Sequence, residues 1–267
     1  MARRHERDQL EDYARFAARL ARLAGEAALP WFRRPLAVED KGGTQGFDPV
    51  TEADRAAERA MRDAIAATYP DHGITGEEYG ETPSRSGFRW VLDPIDGTRA
   101  FIAGLPSWGT LVALNDGERP VVGVVAQPYI GEVFTGISDG RFRRADLNGR
   151  PITTRRMPAL EQAILSTTGL DFLDEDEKAA FLRVARAVRL TRYGFDCYAY
   201  AVLALGFIDL VIEAGLKPHD IQALIPLIEG AGGVVTGWEG TDAQQGGRVI
   251  AAGDPDLHER ARAILQI

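Results

Sequence analysis

A series of short strand patterns between residues 88 and 137 restricts the fold more than any other feature of the sequence. Apolar and β-branched residues recur in four segments, Phe88 to Leu92, Gly109 to Asn115, Val121 to Gln127 and Glu132 to Ile137. Turn-forming residues follow two of these segments, at Asn115-Asp116-Gly117 and at Ser138-Asp139-Gly140. Because such short turns join neighbouring antiparallel strands, the sequence predicts an antiparallel meander in this part of the chain.

The pattern changes after about Asn148 to an alternation of strands and helices. Ile164 to Ser166, a helix from Glu175 to Val188, and Leu190 to Tyr193 have the order of a βαβ unit. Further elements follow, a helix at Ala199 to Leu205, a strand at Phe207 to Glu213, a helix at Ile221 to Glu229, and strands from Val234 and at Val249 to Ala251. The sequence therefore predicts two tightly packed halves, an α+β half at 1–147 and an α/β half at 148–267.

Two amphipathic helices are expected ahead of the meander. In the first, Tyr13, Ala17 and Leu20 recur at helical spacing, and the helix should end near Pro30. The second is predicted from Asp54 to Tyr69, with Thr51 or Asp48 as capping candidates near its start. Lys41 lies in a glycine-rich loop between the two helices.

Composition excludes several classes of function. The chain has 267 residues, 45% of them hydrophobic, and a formal net charge of -8, which argues against a nucleic-acid partner. No apolar run approaches the roughly 20 residues of a membrane span, so a cytoplasmic location is expected. The single cysteine, Cys197, excludes an internal disulfide and a cysteine-based zinc cluster. His72 and His258 lie in turn or charged contexts and are predicted to be on the surface.

The segment Asp93-Pro94-Ile95-Asp96-Gly97-Thr98 indicates the chemistry of the chain. It follows the apolar stretch Trp90 to Leu92, so a buried strand should present both carboxylates at its end. Oxygen ligands of this kind bind hard divalent cations, and backbone amides behind them can bind a phosphate. Carboxylates and an anion cradle within six residues indicate phosphate chemistry.

Other acidic residues leave alternatives open when each is taken alone. Asp54 and Asp220 precede or begin apolar helices, so either can be a helix cap as well as a site residue. Glu77 and Glu78 are adjacent on extended chain and point in different directions, so at most one of them should face a site.

Four separated motifs, in this order and spacing, resemble the inositol monophosphatase family. They are Asp48 to Asp54, Gly76-Glu77-Glu78, Trp90 to Thr98, and Asp220 with Glu229 to Gly233. The longer runs Asp93 to Thr110 and Lys217 to Gly233 are most similar to the histidinol-phosphate phosphatase branch of the family. The resemblance covers nearly the whole chain and implies a layered αβαβα sandwich and a homodimer.

The resemblance also implies two or three Mg²⁺ ions in each active site. Glu77, Asp93 and the backbone carbonyl of Ile95 match the family's first metal site. Asp93, Asp96 and Asp220 match the second site, so that Asp93 bridges two ions. A further, weaker ion is expected near Glu77. Sharing of this kind is consistent with two-metal catalysis, in which the ions lie roughly 4 Å apart.

Catalytic roles follow from the same resemblance. Thr98, paired with Asp54, matches the positions that orient and deprotonate a metal-activated water, and Glu77 belongs to the same catalytic set. The backbone amides of Gly97 and Thr98 are expected to hold phosphate oxygens, and Asp220 is expected to contact the substrate as well. The implied reaction is direct attack of water on phosphorus without a phosphorylated side chain.

The second half, which carries one metal ligand, is expected to recognise the rest of the substrate. Asp196 and Glu213 can bind the hydroxyls of a polyol or pair with an ammonium or imidazolium group, and two acids favour the second. The leading substrate is therefore L-histidinol phosphate. Inositol 1-phosphate and broader sugar or nucleotide phosphates are the alternatives among enzymes, and a phosphoryl-ligand binding protein without turnover is the alternative outside them. His219 stands where the family commonly has an aromatic residue, which leaves the identity of that pocket wall open.

Overall fold

Eight α-helices and fifteen strands build the part of the chain described by a computed structural model, residues 6–40, 42, 49–157 and 159–266. The helices are α1 Arg7–Ala28, α2 Glu52–Thr68, α3 Thr98–Ile102, α4 Glu175–Ala185, α5 Asp196–Ala204, α6 Pro218–Ile221, α7 Leu224–Gly230 and α8 Pro255–Leu265. The strands are β1 Glu39–Asp40, β2 Pro49–Val50, β3 Gly73–Gly76, β4 Gly80–Thr82, β5 Arg89–Asp96, β6 Gly109–Asn115, β7 Pro120–Gln127, β8 Glu132–Ser138, β9 Arg143–Leu147, β10 Arg150–Pro151, β11 Ile164–Thr167, β12 Leu190–Tyr193, β13 Leu210–Leu216, β14 Val234–Gly237 and β15 Gly247–Ala252.

The meander predicted from the sequence is confirmed as the centre of an eight-stranded sheet. The strand order is β10-β9-β8-β7-β6-β5-β3-β4, and consecutive strands from β5 to β10 are antiparallel. β3 is the exception, since it pairs parallel to β5. This parallel pair matters for function because the carboxyl ends of both strands reach the same edge of the sheet.

A second sheet of five strands has the order β12-β11-β13-β15-β14. β11 runs parallel to both of its neighbours, which confirms the βαβ unit predicted from residue 164 onward. β15 is antiparallel to both of its neighbours, β13 and β14. The strands of the first sheet come from 73–151 and those of the second from 164–252, while the division into halves at residue 148 stays a prediction.

Alternate residues of the central strands enter two different cores. On β6, Val112 and Leu114 pack with α1 and α2, whereas Leu111 and Ala113 pack with α5 and α7. Because successive side chains of a strand point to opposite faces, a strand that is apolar throughout must be covered on both sides. A third core lies between the outer face of the second sheet and helices α4 and α8. The layers are therefore helix, sheet, helix, sheet and helix, which confirms the predicted sandwich.

The first two helices agree with the sequence pattern. α1 buries an apolar stripe and passes into a short 3-10 turn, Leu29–Trp31, at the predicted proline. Thr51 is the N-cap of α2, where its hydroxyl accepts a hydrogen bond from the backbone N–H of Ala53. The other candidate cap, Asp48, and Lys41 lie outside the described residues.

Several elements of the second half differ from the prediction. The helix expected at 221–229 is divided into α6 and α7, and the strand expected from Phe207 begins at Leu210 because Phe207 lies in an exposed loop after Gly206. α8 was not predicted, although Asp254-Pro255 marks its start. The Asp254 carboxylate accepts hydrogen bonds from the N–H groups of Asp256 and Leu257.

The prediction that two histidines lie on the surface is wrong. His72 is buried between the rings of Tyr69 and Phe88, with centroid distances of 4.7 and 5.1 Å, and burial lowers its pKa. His258 is buried on α8 and lies 3.0 Å from the hydroxyl of Thr236. Neither position could be assigned from local sequence, because each ring is buried by elements distant in the chain. Within the described residues, no helix has both the length and the apolar character needed to span a membrane.

The helix α7 packs directly against the backbone of β8, and Gly136 makes this contact possible. A Cβ built on Gly136 would lie 2.2 Å from the Cα atom of Leu227, a backbone position that cannot move independently. Gly169, which has extended backbone and nearest neighbours at 3.5 Å, offers a control position where a Cβ fits.

We expect Gly136→Ala to lower the free energy of unfolding by about 1–3 kcal/mol, because the added methyl group forces α7 away from the sheet. Gly169→Ala should stay within about 0.5 kcal/mol of the wild type. Urea unfolding followed by circular dichroism measures both. Equal stability of Gly136→Ala and the wild type would mean that α7 is not seated on β8 as described.

Candidate active site

The carboxylates of Asp93 and Asp96 lie at the end of β5, where the strand is irregular. In a regular strand, residues three apart point to opposite faces. Here the pairing register with β6 shifts between Asp93 and Asp96, and the Asp93 carboxylate accepts a hydrogen bond of 3.1 Å from the N–H of Ile95. The irregularity turns both carboxylates into one cavity of about 410 Å³.

Glu77 and Asp220 bring further carboxylates to the same cavity. Glu77 directly follows β3, and its N–H donates to the carbonyl of Leu92 on the neighbouring β5 at 3.2 Å. One carboxylate oxygen each from Asp93, Asp96 and Asp220 lie within 4.8 Å of one another. One ligand atom each from Glu77, Asp93 and His219 form a second group within the same distance. The structure therefore brings together all four side chains that were expected to bind metal.

Burial and mutual repulsion raise the pKa values of Asp93 and Asp96. Burial raises the pKa of Asp93 well above its ordinary value, and Glu77 and Asp96 raise it further. Burial likewise raises the pKa of Asp96, with Asp196 adding to the shift. A hard divalent cation would remove this repulsion, and a donor set made mainly of carboxylate oxygens is the kind that Mg²⁺ binds. The residues present therefore fit a magnesium site.

The two carboxylate oxygens of Asp54 have different environments. Its Oδ2 accepts hydrogen bonds from the N–H and the hydroxyl of Thr51, at 2.8 and 2.6 Å, and so caps α2. Its Oδ1 is buried and has no hydrogen-bond partner among the described residues. Burial raises the pKa of Asp54 to about 6, and the charge of Glu77 contributes. The helix-cap interpretation is correct for one oxygen, which leaves the other for a further role.

Thr98 does not form the expected pair with Asp54. Its hydroxyl instead donates to the carbonyl of Ile95 at 3.1 Å, within the turn that leads from β5 into α3. The sequence could not show whether Thr98 pairs with Asp54, because the two residues belong to different elements. A hydroxyl at the start of a helix can also donate to a nearby backbone carbonyl, as Thr98 does here. Ile95, whose carbonyl was expected as a metal ligand, is one of the residues that line the cavity.

Asp96 also joins the first sheet to α5. Its carboxylate accepts a hydrogen bond of 2.7 Å from the N–H of Cys197, at the first turn of that helix. The preceding residue, Asp196, has a left-handed backbone with φ of 47°, which aspartate tolerates better than most residues. Its carboxyl group approaches Gly97 so closely that a Cβ there would lie 2.9 Å from Asp196 Cγ. Gly97, itself at φ 81°, is therefore needed for both its conformation and its lack of a side chain.

Asp196 and Glu213 face the cavity from the second half of the chain. Burial raises the pKa of Asp196 to about 6, while the guanidinium of Arg99 lowers it in part. Burial raises the pKa of Glu213 to about 7, hydrogen bonds from Thr168 oppose this, and the charge of Asp196 adds to it. The two acids therefore interact electrostatically across the cavity.

Glu213 is held firmly by its neighbours. One carboxylate oxygen accepts hydrogen bonds from the N–H and hydroxyl of Thr168, at 2.9 and 2.6 Å. The other accepts from the hydroxyl of Tyr200 at 3.1 Å. Most of the hydrogen-bond acceptor capacity of Glu213 is thus used within the protein. Glu213 would therefore act on a bound ligand mainly through its charge and by holding Thr168 in position.

Other residues of the cavity wall were not identified from the sequence. Thr168 and Phe172 approach from the loop after β11, and Lys217 precedes α6. The guanidinium of Arg99 lies 4.7 Å from the centre of the Phe172 ring. Arg99 could have been identified from the sequence, because it directly follows Thr98 of the recognised motif. Thr168 and Phe172 lie in a segment that contains no recognised motif.

Comparison with known proteins identifies the relatives of the chain. The chain is 43% identical over 269 residues to the bifunctional phosphatase IMPL2 of Arabidopsis thaliana, a chloroplastic protein, covering 97% of this chain and 76% of that protein. It is 35% identical over 226 residues to a histidinol-phosphatase of Chlorobaculum parvum, covering 84% and 85%. Among solved structures, an inositol monophosphatase from Zymomonas mobilis superimposes with a TM-score of 0.85 at 42% identity, covering 96% and 98%.

A Thermotoga maritima IMPase has nearly the same fold, with a TM-score of 0.84 at 28% identity over 95% of this chain and 96% of that one. The family model described as "Inositol monophosphatase family" matches residues 9–267, which include every residue of the cavity described above. The chain belongs to the inositol monophosphatase family.

Proposed function

We propose that this phosphatase hydrolyses L-histidinol phosphate to L-histidinol and phosphate in a Mg²⁺-dependent reaction. Members of its family act on small phosphorylated substrates and use metal ions such as Mg²⁺. The observation that carries the proposal is the presence of two additional carboxyl groups, the half-buried Asp196 and the buried Glu213, in the same cavity as the acids proposed to bind metal.

Glu77, Asp93, Asp96 and Asp220, with the carbonyl of Ile95, would hold two Mg²⁺ ions, and a third would bind near Glu77. Bound Mg²⁺ lowers the pKa of a water molecule and neutralises negative charge on the phosphate and the leaving oxygen. The carboxylates would hold the Mg²⁺ ions at one place in the cavity. β5 and its neighbouring elements fix the positions of the carboxylates before a substrate binds.

Asp54 would deprotonate the attacking water and Thr98 would orient it. The free Oδ1 of Asp54 is a suitable proton acceptor, since the group has a pKa of about 6 and is within electrostatic reach of Glu77. Thr98 would orient the water through its hydroxyl oxygen, which can accept a hydrogen bond from the water while the hydroxyl donates to the carbonyl of Ile95. The backbone amides of Gly97 and Thr98 would donate to phosphate oxygens at the start of α3.

The substrate end of the cavity favours a cationic ligand. The pKa values of Asp196 and Glu213, about 6 and about 7, mean that buried negative charge is costly there. An ammonium or imidazolium group would offset that cost, whereas a neutral polyol would only hydrogen-bond to the acids. The amine and imidazole of L-histidinol phosphate meet this requirement, and Asp220 would contact the substrate beside the metals.

Inositol 1-phosphate is the second candidate. The solved structure that is 42% identical to this chain is named as an inositol monophosphatase, and it covers 96% of the chain. Three histidinol-phosphatases at 33–35% identity favour the first candidate instead. The homodimer and the cytoplasmic location inferred from the sequence stay predictions.

We expect kcat/KM for L-histidinol phosphate to exceed that for inositol 1-phosphate, measured by phosphate release at one fixed Mg²⁺ concentration. Asp196→Asn provides the matched variant, because asparagine tolerates the left-handed backbone and removes only the charge. The substitution should raise KM for L-histidinol phosphate about tenfold or more, through loss of a charge-assisted hydrogen bond.

The same substitution should change KM for inositol 1-phosphate little. Equal effects on both substrates would exclude the proposed contact of Asp196 with the amine or imidazole. A clear preference of the wild type for inositol 1-phosphate would overturn the assignment of the substrate.

Asp93→Asn should reduce turnover by about 100-fold or more, because it removes one charge from every ion that Asp93 contacts. Circular dichroism should show an unchanged fold, since the amide is nearly the same size. Asp12→Asn, on the exposed face of α1, is the control and should retain full activity. Near-normal activity of Asp93→Asn would contradict a central role for this carboxylate.

Without Mg²⁺, the free energy of unfolding should fall as the pH rises from about 7 to about 8.5. In this range the unfolded carboxyl groups are ionised and the unfolded histidines are mostly neutral. The folded protein still binds a proton at Glu213, whose pKa is raised to about 7, and loses it as the pH rises. The raised pKa values of Asp93 and Asp96 act in the same direction.

Calorimetry at several pH values, with chelator or with saturating Mg²⁺, tests this expectation. Mg²⁺ should stabilise the protein more at the upper end of the range, because it binds the ionised carboxylates. A melting temperature that is independent of pH in the presence of chelator would contradict the argument.

A further inference from the structure

His219 lies among the acidic residues proposed to bind metal, a position that the sequence motifs did not predict. One ring nitrogen of His219 and one carboxylate oxygen each of Glu77 and Asp93 lie within 4.8 Å of one another. The ring lines the cavity, and its side chain is only 13% exposed. The imidazole is therefore part of the charged site and not of its outer surface.

The start of α6 holds this ring in position. The N–H of Lys217 donates to Asp220 Oδ2 at 2.7 Å, and Pro218 begins the helix, so that His219 and Asp220 are presented together. His219 Nε2 lies 3.3 Å from Asp220 Oδ1. Histidines that bind metals commonly use one ring nitrogen for the metal and the other for a carboxylate that orients the ring.

A second observation is consistent with a cation at this group. Asp54 Oδ1 is buried without a hydrogen-bond partner among the described residues, and the charge of Glu77 acts on the Asp54 carboxyl group. A buried oxygen of this kind requires an explanation such as an ion or an ordered water. Glu77 thus interacts with the Asp54 carboxyl group and also belongs to the group that contains His219.

We infer that His219 supplies a nitrogen ligand to a cation bound by Glu77 and Asp93, which gives that position a preference for a divalent transition metal over Mg²⁺. The inference rests on the metal-dependent function proposed above. The group of Asp93, Asp96 and Asp220 offers only oxygen atoms and suits Mg²⁺. An imidazole donor binds transition metals such as Mn²⁺, Co²⁺ and Zn²⁺ more tightly than Mg²⁺, so these ions would displace Mg²⁺ from this position, whereas Mg²⁺ would remain favoured at the other.

The competing arrangement is an ion pair between a protonated His219 and Asp220. A protonated imidazole has no free lone pair and cannot bind a metal. The two arrangements differ in whether nitrogen contacts the bound ion, which spectroscopy measures directly and without reference to activity.

Electron spin echo spectroscopy of the full-length protein with Mn²⁺ tests the inference. Coupling of the manganese electron spin to ¹⁴N of a ring is expected, and labelling only the histidines with ¹⁵N should replace it by ¹⁵N coupling. This arm uses the wild-type protein and needs no substitution. His72 and His258 are buried and do not line the cavity, and His5 lies outside the described residues. The variant His219→Phe therefore assigns the signal to His219.

His219→Phe should abolish the nitrogen coupling and weaken Mn²⁺ binding, measured by calorimetric titration, by about tenfold or more. Its Mg²⁺ affinity should change much less. His72→Phe is the matched control, because it removes a histidine that lies within an aromatic cluster, and it should keep both the coupling and the affinity.

Mn²⁺ that binds without histidine coupling would overturn the inference and leave the proposed phosphatase function in place. Equal losses of Mn²⁺ and Mg²⁺ affinity in His219→Phe would also overturn it, since the ring would then act only through the shape of the site. A wild-type protein that binds neither ion would overturn both the inference and the metal-dependent function on which it rests.

Discussion

Repulsion among buried carboxyl groups at the end of β5 is the constraint on which the rest of the structure depends. Asp93 is almost fully buried, and burial together with neighbouring charges raises its pKa. Such an arrangement is unfavourable by itself, so the surrounding apolar layers must supply the free energy that holds it. The cores on the two faces of the eight-stranded sheet meet this requirement from both sides. A cation bound at this group would remove the repulsion, and that gain would contribute to its binding.

The layered fold converts distant segments into one site. Glu77 reaches Asp93 because β3 and β5 are parallel neighbours, and Asp220 reaches it from the start of α6. Asp96 has two functions, since it belongs to the acid group and also accepts the N–H of Cys197 at the start of α5. The helix that carries Asp196 is thereby attached to the acidic end of the cavity. This attachment fixes the distance between the acids proposed to bind metal and the residue proposed to contact the substrate.

Local sequence predicted most of the elements. The strand at 109–115, the parallel unit from residue 164 and the cap at Thr51 agree with the structure, because their signals are short-range patterns of apolar residues, turns and capping side chains. The division of the helix at 221–229 and the burial of His72 were missed. Each depends on contacts with other parts of the chain, which no local pattern records.

The sequence by itself determined the kinds of chemistry available, since the acids at Asp93, Asp96 and Asp220 and the glycine at 97 are readable in their order and spacing. Only the tertiary structure decided how these groups are used. It turned Thr98 toward Ile95 instead of Asp54, left Asp54 Oδ1 without a partner, and brought His219 beside Glu77 and Asp93. The physical reason is that hydrogen-bond partners and electrostatic neighbours are set by distances across the fold, whereas spacing along the chain limits only which residues can be brought together.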